Sequence, residues 1–228
     1  MTPDRLRPRI WHTDWMILRQ LARVIGHDVA GALKPRDVVV DFGCGQMPYR
    51  EVIEAKGVVY KGADLGPDAE LQIGADGRVQ AEDHSCDAVL SVQVLEHVRD
   101  LDAYCAEIRR LLRSDGTLFL STHGTWLYHA HPEDHRRWTR TGLICDLEQR
   151  GFAVETIDAL VGPLATTTLL RLTGYAYVMR KLPVVGPLLA GTLSVIMNLR
   201  AMLEDRITPA HIRMDNACVY WLKARLAG

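Results

Sequence analysis

Apolar and polar positions alternate between two kinds of segment along the chain. Short apolar runs, of the kind buried on both faces of a parallel sheet, are separated by longer segments with apolar residues at helical spacing. Strands that alternate with helices in this way predict an α/β fold with a doubly wound sheet covered on both faces. The predicted strands lie in the runs DVVVDF, GVVYKGAD, CDAVLSVQ, TLFLST and FAVETI, which begin at residues 37, 57, 86, 117 and 152.

Helical spacing predicts the elements between these strands. A leading helix covers residues 15–32, and a short helix follows Pro48, because proline is favoured in a first helical turn. A longer helix is expected to end at Gly116, and another, near 141–150, at Gly151. The longer helix carries one apolar face, formed by Leu101, Tyr104, Ile108 and Leu111.

The last third of the chain differs from the rest in composition. Residues 182–199, LPVVGPLLAGTLSVIMNL, contain no charged side chain across 18 residues, which is near the length that crosses a bilayer. Prolines, glycines and an asparagine interrupt this segment, so we expect a lid, an oligomer interface or membrane-surface contact instead of a single span. The predicted organisation is an N-terminal cap helix (1–34), a core (35–160), a helical lid or interface insertion (161–212) and the last strand (213–228).

Composition excludes several classes. The 228 residues are 48% hydrophobic and 24% charged, as in soluble globular proteins, and 27 basic against 28 acidic residues give a net charge of −1. The absence of a long basic run disfavours nucleic-acid binding. Five scattered cysteines and the lack of a continuous apolar stretch at the N-terminus predict reduced thiols in a cytoplasmic protein.

The stretch VVVDFGCGQMPYR (38–50) carries the first candidate chemistry. Glycines directly after a buried strand let a ligand approach main-chain N–H groups. Pro48 stands where the dinucleotide fingerprint needs a third glycine, which counts against a nicotinamide cofactor. Asp64, at the end of the second predicted strand, follows Asp41 by 23 positions, and its carboxylate can accept both ribose hydroxyl protons.

An ordered set of motifs resembles the class I S-adenosylmethionine-dependent methyltransferases. VDFGCG is similar to their motif I, DAVLSVQVLEHV to their fourth-strand motif, and LLRSDGTLFLST to the fifth. HPEDHRRWT, followed by GL and LEQRGF, resembles a bacterial subgroup with a Trp-Arg-(Trp/Phe)-Thr signature after the fifth strand. The resemblance implies a Rossmann-like, mostly parallel seven-stranded sheet with a helical N-terminal cap and an apolar helical insertion before the last strand. It also implies S-adenosylmethionine as cofactor and S-adenosylhomocysteine as product.

The cofactor-binding set follows from this resemblance and from position. Asp41 is expected to hold the cofactor's ammonium group directly or through water, with a loop-bracing hydrogen bond as the alternative. We expect the adenine contact at Asp76 in preference to Ala75, and we expect Cys44 to be a small packed side chain and not a nucleophile. The complete predicted set is Asp41, Gly43, Cys44, Gly45, Asp64, Leu65, Asp76, Gly77, Gln93 and Val94.

Candidate bases follow the fifth predicted strand. His123 is the first candidate and His131 the second, with substrate hydrogen bonding or loop structure as the alternatives for His123. His129, His131 and His135 are close enough in sequence to suggest a metal, but we expect polar lid residues and no metal site. Two further groups are ambiguous at this point. Arg136, Arg137 and Arg140 fit either an anionic acceptor or a solvated face, and Trp11, His12 and Trp15 fit either a pocket cap or helix packing.

The sequence therefore predicts a methyltransferase for a small-molecule acceptor. O-methylation of a sugar or natural-product intermediate, with a histidine as general base, is the first hypothesis. Methylation of a quinone or lipid-linked acceptor at the membrane surface is an alternative, and a noncatalytic cofactor-binding subunit is another. Segment 161–205 is the predicted place for peripheral membrane contact or a homodimer.

Overall fold

The computed structural model describes residues 5–228 and contains a seven-stranded sheet. The strand order is β3-β2-β1-β4-β5-β7-β6, and neighbouring strands are parallel except where β7 pairs antiparallel with β5 and β6. The predicted fold class is confirmed. The strands are β1 (Val38–Phe42), β2 (Val59–Asp64), β3 (Leu71–Gln72), β4 (Cys86–Val92), β5 (Leu112–His123), β6 (Phe152–Ala159) and β7 (Val219–Leu226).

Helices cover both faces of this sheet. The predicted leading helix is present as α1, which continues through a π-helical turn at Ile25–Val29 into α2. The helices are α1 (Trp15–Val24), α2 (Ala30–Ala32), α3 (Arg50–Glu54), α4 (Leu101–Leu111), α5 (Arg140–Glu148), α6 (Pro163–Met179), α7 (Val185–Ile207) and α8 (Ala210–Asp215), with a 3₁₀ turn at Leu95–His97.

The two faces of the sheet form two apolar cores. Val39 in β1 belongs to the core that includes Leu21 of α1 and Leu169 of α6. The next residue, Val40, belongs to the core that includes Ile108 of α4. Successive side chains of a strand point to opposite faces, so a strand buried on both faces has to be apolar throughout. The uninterrupted apolar runs in the sequence follow from this arrangement.

One predicted helix boundary is wrong. The helix α4 ends at Leu111, and Leu112 already has extended backbone angles and pairs with Cys86 of β4. Gly116 therefore does not end a helix but lies within β5, beside an irregularity in the pairing of β5 with β4. A Cβ atom at Gly116 would lie 2.9 Å from the Arg113 carbonyl oxygen, so the tight bend of the strand requires glycine there.

The apolar segment 182–199 is interrupted only at its start, where residues 182–184, including Pro183, lie in the turn before α7. Residues 185–207 form the single helix α7, because Pro187 lies in its first turn, where a proline removes no intrahelical hydrogen bond. Asn198 is buried and donates to the carbonyl oxygens of Ile10 and His12, at 2.8 and 2.9 Å. Within residues 5–228, α7 is the one helix long and apolar enough to cross a membrane, and 33% of its apolar window is buried against the protein. The predicted domain boundaries stay a prediction.

Candidate active site

A cavity of about 1120 Å³ opens at the carboxyl ends of the parallel strands. Gly43 follows β1, Asp64 ends β2, Gln93 follows β4 and His123 ends β5, and all four line the cavity. The helix α1 supplies a further wall through Ile17, Leu18 and Leu21. Ligands of open α/β sheets bind at this edge, where the order of the strands reverses on either side of β1.

The bend after β1 depends on Gly43. Its φ angle is +80°, and a Cβ atom there would lie 2.5 Å from Cγ2 of Val94. The N–H groups of Gly43 and Cys44 both donate to the Ala63 carbonyl oxygen, at 2.8 and 3.1 Å. The bend is therefore fixed against the end of β2, with main chain and no side chain facing the cavity at Gly43.

Asp64 lies where this bend meets β2. Its Oδ2 accepts a hydrogen bond from the Gly45 N–H at 2.7 Å, and its Oδ1 accepts one from the Leu65 N–H at 2.7 Å. The Gly66 N–H donates a longer bond to the same Oδ1, at 3.3 Å, so the lone pair that stays free belongs to Oδ2. This carboxylate can still accept a hydroxyl proton from a ribose, and the ribose role of Asp64 stays a prediction.

Three residues of the predicted cofactor set do not line the cavity. Asp41 is buried and accepts a hydrogen bond from the Tyr60 hydroxyl, and burial raises the pKa of its carboxyl to about 7. Burial likewise raises the pKa of the Cys44 thiol to about 12, so this cysteine is not a reactive thiolate. Gly45 is absent from the lining too. The geometry favours the loop-bracing alternative for Asp41.

The remaining predicted cofactor residues line the cavity. Asp76 shapes the turn after β3, where its Oδ1 accepts a hydrogen bond from the Arg78 N–H at 3.0 Å. Gln93 has a φ angle of +58°, and its side-chain amide donates to the Ser121 hydroxyl at 3.3 Å. No bound cofactor tests these individual roles, which stay predictions. The lining members of the set are Gly43, Asp64, Leu65, Asp76, Gly77, Gln93 and Val94.

The opposite end of the cavity is formed around His123. Its ring is almost completely buried, stacks on Trp126 at 5.9 Å between ring centroids, and has Nε2 3.5 Å from Oε1 of Glu96. Burial is the main reason why the pKa of His123 falls to about 3. The imidazole is therefore neutral at physiological pH and retains a lone pair.

Glu96 is the functional residue that sequence reasoning missed. It lies in the 3₁₀ turn after β4, is fully buried, and its Oε2 accepts a hydrogen bond from the Thr122 hydroxyl at 2.9 Å. Burial raises the pKa of the Glu96 carboxyl to about 7. The sequence carried a signal for Glu96. In the run VLEHV a carboxylate stands among valine and leucine residues, and an acid that is buried with them needs a partner.

Further histidines surround His123. The His129 ring lies edge-on to the rings of His123 and His97, at 5.0 Å from each, and 6.1 Å from that of His131. All four rings line the cavity. His135 is absent from the lining, and its Nε2 lies 3.1 Å from Oε2 of Glu133. The loop after β5 thus brings His129 and His131 to the cavity, and His129 lies beside His123. The choice of base stays a prediction.

The arginines of the signature hold this loop in place. Arg137 donates to both carboxylate oxygens of Asp134, at 2.5 and 2.6 Å, and this contact keeps the pKa of Asp134 well below its usual range. Arg136 donates to the Val98 and Arg99 carbonyl oxygens. Arg140 pairs with Asp215 at 3.2 Å. Because each guanidinium already has a protein partner, the structure gives no support to the hypothesis of an anionic acceptor.

Neither Trp11 nor Trp15 lines the cavity. Trp15 is buried in the core, whereas Trp11 is half exposed, so the packing alternative fits Trp15. The N-terminal region contributes two polar residues to the cavity, Arg5 and Asp14.

The fold and this site define a class I methyltransferase arrangement, and comparisons with known proteins agree. A sequence model of the family described as "Methyltransferase domain" matches residues 15–159, more than half of the chain. The chain is 34% identical over 111 residues to a ubiquinone biosynthesis O-methyltransferase of Xanthomonas oryzae pv. oryzae. That match covers 42% of this chain and 44% of the relative, so the chain matches less than half the length of its curated relative.

Solved structures share the fold over almost the whole chain. A geranyl diphosphate methyltransferase in complex with S-adenosylmethionine superposes with a TM-score of 0.60 at 15% identity, covering 95% of this chain and 89% of the other. The cyclase SpnF superposes with a TM-score of 0.59 at 18% identity, covering 92% and 83%. The chain belongs to the methyltransferase domain family, as an S-adenosylmethionine-dependent enzyme of class I.

Proposed function

We propose that the chain transfers the methyl group of S-adenosylmethionine to a hydroxyl oxygen of a small molecule, such as a sugar or a natural-product intermediate. The observation that carries this proposal is the continuity of the cavity, which runs from Asp64 at the cofactor end to His123, His129 and His131 at the other. A hydroxyl acceptor has to lose its proton, and only the histidine end offers neutral bases. The ubiquinone relative, whose name describes an O-methyltransferase, supports oxygen as the acceptor atom.

The chemistry requires positioning and one proton transfer. The acceptor oxygen forms a bond to the methyl carbon while the carbon–sulfur bond breaks, and its electron pair remains on sulfur. The hydroxyl proton passes to His123, the first candidate base, and the carboxylate of Glu96, 3.5 Å away, stabilises the resulting imidazolium. His131 is the second candidate. The products are the methyl ether and S-adenosylhomocysteine.

The proposal is tested with cofactor carrying a labelled methyl group and a panel of hydroxyl and amine acceptors. With the acceptor found, His123→Ala is expected to lower turnover by about 10²-fold or more, and to leave cofactor affinity within about twofold. His135→Ala, which changes a histidine outside the cavity lining, is the matched control and should retain wild-type turnover. Methylation of amines alone would overturn the oxygen assignment, and unchanged turnover in His123→Ala would remove its role as base.

A second candidate is methylation of a quinone or lipid-linked acceptor by enzyme docked on a membrane surface. The turn between α6 and α7 favours it, because Val184 is 93% exposed there and Leu188 is 73% exposed. Lys181 lies beside this apolar tip, with Nζ 4.6 Å from the centroid of Tyr177. Exposed apolar and aromatic residues with adjoining basic groups are typical of contact with an anionic membrane surface.

Co-sedimentation with phosphatidylglycerol vesicles tests this second candidate. Binding is expected for the wild-type protein and should be lost in Val184→Asp/Leu188→Asp, while neutral phosphatidylcholine vesicles bind less. Absence of vesicle binding would overturn the membrane version. If analytical ultracentrifugation then shows a dimer that the same double variant dissociates, the tip is a homodimer interface. We also propose a cytoplasmic location, supported by the five cysteines, which are all free thiols in the described residues.

A further inference from the structure

Three buried polar atoms without hydrogen-bond partners occur together at the histidine end of the cavity, where His123 and His129 belong to the lining and Glu96 is fully buried and absent from it. Among the described residues, Oε1 of Glu96, Nδ1 of His123 and Nε2 of His129 are buried and have no such partner. Glu96, His123 and His129 also each offer one potential ligand atom, and these three atoms lie within 4.8 Å of one another. A buried polar group without a partner costs about 1–3 kcal/mol, so the cluster is incomplete as a purely structural feature.

We propose that Glu96, His123 and His129 bind one divalent transition-metal ion, of the zinc, manganese or iron type, whose open positions take the acceptor oxygen. This inference rests on the proposed function and deepens it, since it assigns the acceptor-binding group. An acceptor with one hydroxyl, or with two neighbouring oxygen atoms, would complete such a coordination shell.

The donor set matches this class of metal. Two imidazoles and one carboxylate are the ligands of many catalytic zinc and iron sites that keep positions open for a substrate. Magnesium and calcium prefer oxygen ligands alone. Bonds of about 2.1 Å at a tetrahedral angle place ligand atoms roughly 3.4 Å apart. Nε2 of His123 and Oε1 of Glu96 already lie 3.5 Å apart.

Protonation states support the same assignment. Burial lowers the pKa of His123 to about 3 and also lowers that of His129, so both rings are in the neutral form that binds metals. Burial is the main cause of the raised pKa of Glu96, and a divalent ion would supply a compensating charge. The Arg137 charge also acts on these groups, but its ion pair with Asp134 partly offsets it.

Neighbouring groups orient the three ligands. The Thr122 hydroxyl donates to Oε2 of Glu96 and leaves Oε1 free, while Trp126 stacks on the His123 ring with an interplanar angle of 9°. The backbone N–H of His129 donates to Oδ2 of Asp134 at 2.8 Å. Such supporting contacts fix the direction of metal ligands and raise metal affinity.

The metal changes which group activates the acceptor. Glu96, His123 and His129 would hold the ion, and its charge would lower the pKa of an acceptor hydroxyl so that the proton leaves to water near neutral pH. The acceptor oxygen would then bond to the methyl carbon, and the electron pair of the broken carbon–sulfur bond would remain on sulfur. His123 would act as a ligand in this arrangement and would not take the proton itself. The two roles of His123 therefore differ in their dependence on metal.

Calorimetric titration of tag-free, chelator-treated protein with Zn²⁺ and Co²⁺ tests the site. We expect one ion per chain, visible Co²⁺ absorption bands, and an affinity reduced about tenfold or more in Glu96→Gln and His129→Ala. His129 is only partly buried, so its variant should fold normally. His211→Ala, which removes an exposed histidine of α8, is the matched control and should bind like the wild type.

Equal Zn²⁺ and Co²⁺ affinity in all four proteins, or no stoichiometric binding, would overturn the inference. Methyl transfer to a hydroxyl acceptor that persists in chelator would do so too, and would leave the proposed function with His123 as base. Metal binding by these ligands without transfer to any hydroxyl acceptor would instead retain the metal site and refute the proposed acceptor class.

Discussion

The backbone N–H of Gly45 donates to Oδ2 of Asp64 at 2.7 Å, and this bond joins the bend after β1 to the end of β2. The bond fixes the carboxylate on the loop that faces the cofactor end of the cavity. The bend after β1 and the Asp64 carboxylate therefore form one hydrogen-bonded unit. In this unit the main chain of the bend orients the carboxylate before any ligand binds.

Replacement of Asp64 tests this unit. Asp64→Asn retains an acceptor for the Gly45 N–H but removes the charge to which a ribose hydroxyl would donate. Hydrogen bonds to a charged group contribute about 1.5–3 kcal/mol, so we expect roughly 10- to 100-fold weaker binding of S-adenosylmethionine by calorimetry. Asp68→Ala, at an exposed acid in the loop after β2, is the control and should bind normally. Equal affinity in Asp64→Asn would remove the ribose assignment.

Gly43→Ala should damage the same region by a steric route. The added Cβ meets Cγ2 of Val94 at 2.5 Å, and the φ angle of +80° strains any L-residue. We expect a loss of about 1–3 kcal/mol in the free energy of unfolding and weaker cofactor binding. Gly174→Ala is the matched control, since a Cβ there meets nothing within 4 Å in α6, and it should leave stability unchanged or raise it by about 0.5–1 kcal/mol. Equal changes in the free energy of unfolding for Gly43→Ala and Gly174→Ala would contradict the strain assigned to the bend at Gly43.

The fold and the cofactor end were predictable because each depends on local pattern. The residues 38–40 of β1 are apolar because both sheet faces are covered, and Asp64 is recognisable because it ends the next strand. The histidine-rich loop was also predictable, because it follows the last central strand of the parallel set. These features are set by neighbours in sequence.

The remaining features depend on distant partners. Gly116 lies in a strand because Leu112 pairs with Cys86, a contact that helical spacing cannot reveal. The partners of His123, namely Glu96 and His129, come from the turn after β4 and from the loop after β5. Only the assembled sheet shows that these side chains converge. The sequence ranked His123 first and His131 second as base, and it grouped His129 with His131 and His135 instead.

Asp41 provides a prediction for pH dependence. Its pKa in the folded protein is raised by burial to about 7, from an ordinary value of 3.8, so the folded state holds this proton more tightly than the unfolded chain. The corresponding stabilisation is complete below the unfolded pKa and is lost as the pH rises through about 7. Burial raises the pKa of Glu96 in the same direction, so a variant without Asp41 retains the part of this pH dependence that Glu96 contributes.

Asp41→Asn removes the Asp41 contribution and keeps an acceptor for the Tyr60 hydroxyl. As the pH is raised from about 5 to about 8, the free energy of unfolding of Asp41→Asn should increase relative to that of the wild type. The reason is that only the wild type then buries a charge at position 41. Thermal unfolding followed by circular dichroism across this range measures the effect. A difference between the two proteins that does not change with pH would show that Asp41 is not buried as a proton-holding group.

Arg137 links the signature sequence to the shape of the acceptor end. It donates to both oxygens of Asp134, whose carboxylate also accepts the His129 N–H, so loss of the guanidinium frees the loop that carries His129. We expect Arg137→Ala to lower stability by about 1–3 kcal/mol and the Tm by roughly 2–10 °C. Because the cofactor end is untouched, KM for the acceptor should rise while cofactor affinity is retained. Arg140→Ala breaks an exposed pair with Asp215 and should change neither, since exposed ion pairs contribute little. Equal effects of the two substitutions on acceptor KM would refute a specific role for the Arg137–Asp134 contact in shaping the site.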